Sequence, residues 1–154
     1  MTGINIRKLK SEDFSVYDET IRELFLESFQ HSFPAAVFSN EFIADKVKQC
    51  ADFLNAGEAV VFGLFDAGEM LGLAYVYPKD CFGIMRLHLN HIAVLPEFSG
   101  KGLGKQLMAA VMDLAAELQI AEISLDVSAD NKTAVSLYQK LGFVTDRLSC
   151  IKRL

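Results

Sequence analysis

Proline is scarce in this sequence, three in 154 residues, and so is cysteine, with three at positions 50, 81 and 150. With so little proline, no Pro/Ser-rich stretch and no internal repeat, there is no place for a linker, and residues 1–154 are expected to form one domain. An odd, widely spaced cysteine set has neither CxxC metal spacing nor the look of a disulfide framework, and no metal site is expected. Uninterrupted apolar runs such as residues 59–65 fall far short of the ~20 residues that span a bilayer. The N-terminal residues run into the polar SEDFS without a signal-type apolar core, and Thr2 excludes a myristoylation site. Positive charge is also short: 15 basic against 20 acidic residues give a net charge of −5, which excludes phosphate-backbone binding as the main task. These absences describe a soluble protein of a reducing cytoplasm, with no nucleic-acid or membrane partner.

What is present is an ordinary globular balance, 51% hydrophobic and 23% charged, unevenly distributed. Residues 1–80 carry 7 basic and 13 acidic groups, whereas residues 81–154 carry 8 and 7. Ten of the twelve phenylalanines precede residue 83. Periodicity predicts a short strand over 4–9, then two amphipathic helices, one ending before Pro34 and one ending before Gly57. Strands over 59–65 and 70–77 are joined by the hairpin signal Asp66-Ala67-Gly68-Glu69, and a long strand over 85–95 closes at Pro96. A helix then opens in the stretch 100–104, a strand follows over 123–127, Asn131 caps a further helix, and residues 143–154 supply one or two closing strands. The order is that of a mixed α/β layer fold.

In the long strand Leu87 and Leu89 hold odd positions, whereas Ile92 and Val94 hold even ones. A strict period of two cannot place all four on one face. Either an extra residue near Asn90–His91 makes a β-bulge, or both faces of the strand are buried and no phase exists to break.

Ser99-Gly100-Lys101-Gly102-Leu103-Gly104-Lys105 joins this strand to the next helix. Its glycines allow consecutive N–H groups to converge on one anion at a helix N-terminus. A Walker A loop would need Gly at 99 and Ser or Thr at 106, and a dinucleotide GxGxxG would need Gly at 105; the residues are Ser99, Gln106 and Lys105. The stretch from His91-Ile92-Ala93-Val94 to Gly100-Lys101-Gly102-Leu103-Gly104 instead resembles motif A of the GNAT superfamily of acetyl-CoA-dependent N-acetyltransferases. Asn131-Lys132-Thr133-Ala134-Val135-Ser136-Leu137-Tyr138-Gln139-Lys140-Leu141-Gly142-Phe143 resembles its motif B. Ser99 departs from the Arg or Gln usual at that position.

The resemblance implies a GNAT-like fold: a central twisted mixed sheet of six to seven strands, about four helices on both faces, and a splay at a bulged fourth strand. It implies acetyl-CoA as cosubstrate. Main-chain groups of Ile92 and Val94 would bond the pantetheine arm, and amides of Gly100, Lys101, Gly102, Leu103, Gly104 and Lys105 would hold the pyrophosphate. Asn131 would add a cofactor-side bond to its N-capping role. Lys101, Lys105 and Lys132 would meet phosphates, or simply be solvated surface charge. Tyr138 would be the general acid that protonates the leaving thiolate, a role open to a phenol of pKa near 10.

An ammonium acceptor must lose a proton before it attacks, and no carboxylate lies between residues 85 and 94. His88 is the first candidate base and His91 the second, with purely structural histidines as the alternative. His31 is a weaker candidate, and Cys81 reads as a bystander thiol. The acceptor would be a primary amine, with a cationic one favoured by the acidic first half, in a pocket near Phe25, Phe29, Phe33, Phe38, Phe42, Tyr77, Phe82 and Met85. The expected function is acetyl transfer from acetyl-CoA to that amine by direct attack, in a monomer or homodimer. The alternative is a non-catalytic acyl-CoA-binding or sensing domain of the same fold.

Overall fold

Ile4–Lys8 (β1), Val60–Asp66 (β2), Glu69–Cys81 (β3), Ile84–Val94 (β4) and Glu122–Leu125 (β5) form one sheet in the order β1-β2-β3-β4-β5. The first three pairings are antiparallel and β4–β5 is parallel. This is the arrangement in a computed structural model that describes residues 3–154; Thr2 lies outside them. The helices are Asp13–Val16 (α1), Asp18–Ser32 (α2), Asn40–Asn55 (α3), Leu103–Glu117 (α4) and Lys132–Lys140 (α5), with a 3-10 turn at Pro96–Phe98. None of the described helices is long and apolar enough to cross a membrane.

Local chemistry accounts for the boundaries. The Ser39 hydroxyl accepts from the Phe42 N–H and caps α3. The β2–β3 turn places Ala67 and Gly68 at φ +50° and +83°, the two left-handed residues of a tight hairpin. The short α1, beyond the roughly four helices expected, is organised by Asp13. Its carboxylate accepts from both terminal nitrogens of Arg7 (2.8 and 2.9 Å) and from the Lys10 N–H at 2.7 Å. These bonds hold it below the usual carboxylate range despite burial.

Strand alternation divides the core between the two sheet faces. Val61, Phe65, Leu73 and Tyr75 pack with Ile21, Leu24, Phe25, Val47 and Cys50 under α2 and α3. Phe62, Leu64, Ala74, Val76, Leu87 and Leu89 pack with Leu103, Leu107, Met108 and Val111 under α4. Full burial of each large apolar side chain contributes about 1.5–3 kcal/mol.

The bulge is present. Tyr75 pairs with His91 and Val76 with Leu89, leaving Asn90 as the extra residue on β4. Leu87 and Leu89 before it and Ile92 and Val94 after it all join the cluster under α4, so the inserted residue restores the phase.

The sheet has five strands rather than six or seven. Residues 144–154 make no strand, where one or two closing strands are expected from the sequence. A strand requires a neighbouring backbone, and among the described residues none bonds this segment.

Candidate functional site

The β4–β5 ladder begins at Arg86↔Glu122 and stops at Leu89↔Leu125, immediately before the bulge. Beyond it β4 continues to Val94 paired with β3 alone, so the sheet is splayed there. The Leu95 N–H donates to the Leu71 carbonyl at 2.8 Å. Because main-chain groups alternate sides along an antiparallel strand, those of Ala93 turn toward β3 and those of Ile92 and Val94 face the open side. Their N–H and C=O groups are therefore available to an extended ligand laid beside β4.

This edge leads into the glycine loop. Gly100 and Gly102 take φ +75° and +78°, a conformation glycine adopts without Cβ strain. The first hydrogen bond of α4 runs from the Gln106 N–H to the Gly102 carbonyl, so the N–H groups of Leu103, Gly104 and Lys105 precede any helical acceptor. A Cβ at 100, 102 or 104 would meet nothing within 4 Å, which leaves this face of the loop open. Leu103 is buried and anchors the first turn. Unspent amides, the positive helix end and exposed Lys101 and Lys105 fit a pyrophosphate. Lys101 lies 5.6 Å over the Phe98 ring, while Ser99 is exposed.

Tyr138 is positioned by a helix-ending motif. Phe143 N–H bonds the Tyr138 carbonyl and Gly142 N–H the Gln139 carbonyl, the paired bonds of a Schellman end, with Gly142 at φ +93°. That geometry sets the Phe143 ring edge-on to Tyr138 at 5.6 Å. Tyr138 belongs to the apolar cluster that includes Ile92, Val94, Ile123 and Leu125. Burial raises its pKa, so the phenol is protonated at neutral pH. At the other end of α5, the Asn131 side chain accepts from the Ala134 N–H at 3.2 Å, and Lys132 is exposed.

The two strand histidines have different surroundings. His88 is buried with its ring 5.4 Å from Tyr77. Its Nδ1 lies 2.9 Å from Ser124 Oγ and its Nε2 lies 3.8 Å from a carboxylate oxygen of Asp126, whose side chain is 97% exposed. Burial lowers the His88 pKa, Asp126 opposes that shift and Lys79 adds to it.

His91 is enclosed by Phe25 and Phe29, both 4.8 Å away, and by Tyr75. Its Nδ1 lies 2.8 Å from Ser28 Oγ. Burial, with help from Lys46, pushes it down to about 4. A histidine whose folded pKa lies below its unfolded value takes up its proton more readily after unfolding. Stability is therefore expected to fall as pH drops from 6.5 toward 4, by about 3 kcal/mol at 1.36 kcal/mol per unit. Denaturation at stepped pH checks this, and His91→Gln should flatten the slope.

His31 bonds the Glu27 carbonyl of its own helix and joins neither histidine. Cys81 ends β3. Phe29, Phe38 and Phe42 form a mutual cluster with centroids 5.2–5.3 Å apart, next to Tyr77 in the α2/α3 core. Phe33, Phe82 and Met85 are exposed. Three groups escape sequence reasoning: Ser28, Ser124 and Asp126. They meet His91 and His88 from residues 36 to 63 positions away, and only strand register and helix packing bring them together. A groove of about 480 Å³ between α4 and β1–β2 contains Lys8, Phe62, Asp113 and Glu117 and none of these groups. The candidate site is instead the open cleft at the splay.

Known proteins resemble this chain in sequence and fold. The family model described as "Acetyltransferase (GNAT) family" matches residues 18–143. An uncharacterized N-acetyltransferase, YdgE, of Bacillus subtilis is 30% identical over 89 residues, 58% of this chain and 57% of the relative. Aminoglycoside N(6')-acetyltransferase type 1 of Salmonella typhimurium is 31% identical over 93 residues, 60% of this chain and 61% of the relative. The chain thus matches less than two thirds of either relative. In fold it is similar to the PaiA N-acetyltransferase of Thermoplasma acidophilum in complex with coenzyme A, with a TM-score of 0.72 and 22% identity over 96% of this chain and 94% of that one. With a family match spanning most of its length, the chain belongs to the acetyltransferase (GNAT) family.

Proposed function

We propose that the protein is an N-acetyltransferase that transfers acetyl from acetyl-CoA to a primary amine. The observation that carries this reading is the convergence at the splay of an open β4 edge at Ile92 and Val94 with the amide cradle of residues 100–105. Acetyl-CoA would supply an acyl thioester. The β4 edge would bond its pantetheine amides, the cradle and the lysines its phosphates, and Asn131 would stiffen the turn beside it. The Tyr138 hydroxyl has no partner accounting for its pKa other than burial and is not sealed inside the protein, so it is free to donate to a leaving thiolate.

His88 is the proposed base. For Nε2 to accept a proton, Nδ1 carries one and donates to Ser124 Oγ, which orients the ring. His91, pushed down to about 4 and packed among aromatic rings, serves the core. The exposed Asp126 carboxylate and the Tyr77 ring flank His88, a setting that favours a cationic acceptor by Coulomb attraction and cation–π contact. An acceptor with several ammonium groups agrees with the name of the Salmonella relative. Free Cys50, Cys81 and Cys150 suit a cytoplasmic location.

Ligand binding to the folded state tests the cofactor reading. At about 100 times its Kd, acetyl-CoA should add roughly 2.7 kcal/mol to stability and raise Tm by several degrees, while ATP and NAD at equal concentration leave it unchanged. A Tm indifferent to acetyl-CoA overturns the proposal. Release of free CoA across a panel of amines then identifies the acceptor.

A further inference from the structure

Gly72 is buried within β3, where a glycine weakens a strand by giving up a side chain that could pack. No turn requires it, since its φ is not positive, unlike that of Gly68 at the hairpin. Space requires it instead. A Cβ on Gly72 would lie 2.9 Å from the Ala93 carbonyl oxygen, 3.2 Å from Leu107 Cδ1 and 3.3 Å from Val94 Cγ2. The two side-chain atoms can give way by a small adjustment. The carbonyl oxygen belongs to the β4 backbone and cannot move alone.

A planar trans peptide ties that oxygen to the Val94 N–H on its far side. The register sets Leu73 opposite Ala93 and Gly72 opposite Val94. The Ala93 carbonyl therefore turns toward β3, while the Val94 N–H points to the open edge beyond the last rung of the β4–β5 ladder. Whatever displaces the oxygen re-aims the N–H. Leu107, the second neighbour, is fully buried on α4, the helix whose N-terminus carries the amide cradle. Gly72 thus sits where β4 and α4, the two elements of the cleft, come closest to β3.

We infer that Gly72 is a positioning residue for acetyl-CoA: by carrying no side chain it lets the Ala93 carbonyl seat against β3 and so aims the Val94 N–H at the pantetheine arm. This rests on the acetyl-CoA reading of the β4 edge. Gly63 on β2 provides the contrast. A Cβ there would lie 2.7 Å from Leu9 Cδ2 and 2.7 and 2.9 Å from two atoms of the Phe65 ring. Those are side chains of the core under α2 and α3, so Gly63 serves packing and touches nothing on β4.

Calorimetric titration with acetyl-CoA, well below Tm, compares the unaltered chain with Gly72→Ala and Gly63→Ala. Both substitutions should lower Tm. Gly72→Ala should weaken acetyl-CoA binding roughly tenfold, the loss of one well-aimed hydrogen bond, while Gly63→Ala should leave Kd unchanged. Circular dichroism checks folding; if a variant is unfolded in plain buffer, all three proteins are titrated in trimethylamine N-oxide, which favours the compact state. Equal affinity in Gly72→Ala and the unaltered chain overturns the inference. So does an equal loss in Gly63→Ala, or a Gly72→Ala that folds in neither medium and is therefore structural alone. An unaltered chain that binds no acetyl-CoA is a separate result: it removes the cofactor reading itself, and the positioning role with it.

Discussion

Tyr138→Phe is expected to lower kcat by roughly 10²-fold or more, the usual loss when a general acid is removed, while acetyl-CoA still raises Tm as before. The ring of Phe replaces the ring of Tyr against Phe143, so packing is preserved and only the hydroxyl is lost. Burial holds the Tyr138 pKa above its ordinary value, and a group that acts as an acid fails once it is deprotonated. The unaltered enzyme should therefore keep its activity to alkaline pH and lose it only above the normal tyrosine range, and the variant should lack that limb. CoA release measured from pH 6 upward separates the outcomes. Unchanged turnover removes the proposed acid role. A parent chain that binds acetyl-CoA and turns over no amine is instead a binding or sensing domain.

Much of the cofactor side was legible in the sequence because it depends on local chemistry. Gly100 and Gly102 announce left-handed backbone within three residues of each other, and Gly142 announces a helix end. The parity break between Leu89 and Ile92 admits a bulge or a strand buried on both faces, and the pairing of Tyr75 with His91 and Val76 with Leu89 selects the bulge. The acceptor side depends on groups distant in the chain. Nothing near His88 in sequence marks Ser124 or Asp126; a parallel register across 36 residues brings Ser124 to it. Nor does periodicity distinguish His88 from His91, since the bulge between them sets both toward neighbours from other elements. One or two closing strands are expected over residues 143–154, but scattered apolar residues specify which side chains seek cover and not which backbone will pair. The missing sixth strand is that distinction made visible, with Leu148 and Ile151 exposed where a closing strand would bury them.

The base is where the prediction is sharpest, because the two histidines shift in the same direction for reasons that separate on mutation. A base works while neutral, so activity should fall on the acid side as pH drops through the His88 pKa, which burial holds below the ordinary 6.5. His88→Gln, whose amide can still meet Ser124, should cost about 10²-fold in kcat at neutral pH and abolish that acid limb. Asp126→Asn removes the one influence that raises the His88 pKa, so the limb should move to still lower pH while kcat at neutral pH changes little. The same change removes an exposed carboxylate beside the cleft, so KM should rise for a polycationic amine and hardly move for a monoamine, and added salt should reproduce part of that rise. His91→Gln should leave the limb in place and act on stability alone, through the cage of Phe25, Phe29 and Tyr75. An acid limb that persists unchanged in His88→Gln would transfer the proton to water or to another group, and a limb lost in His91→Gln would reverse the assignment of the two rings.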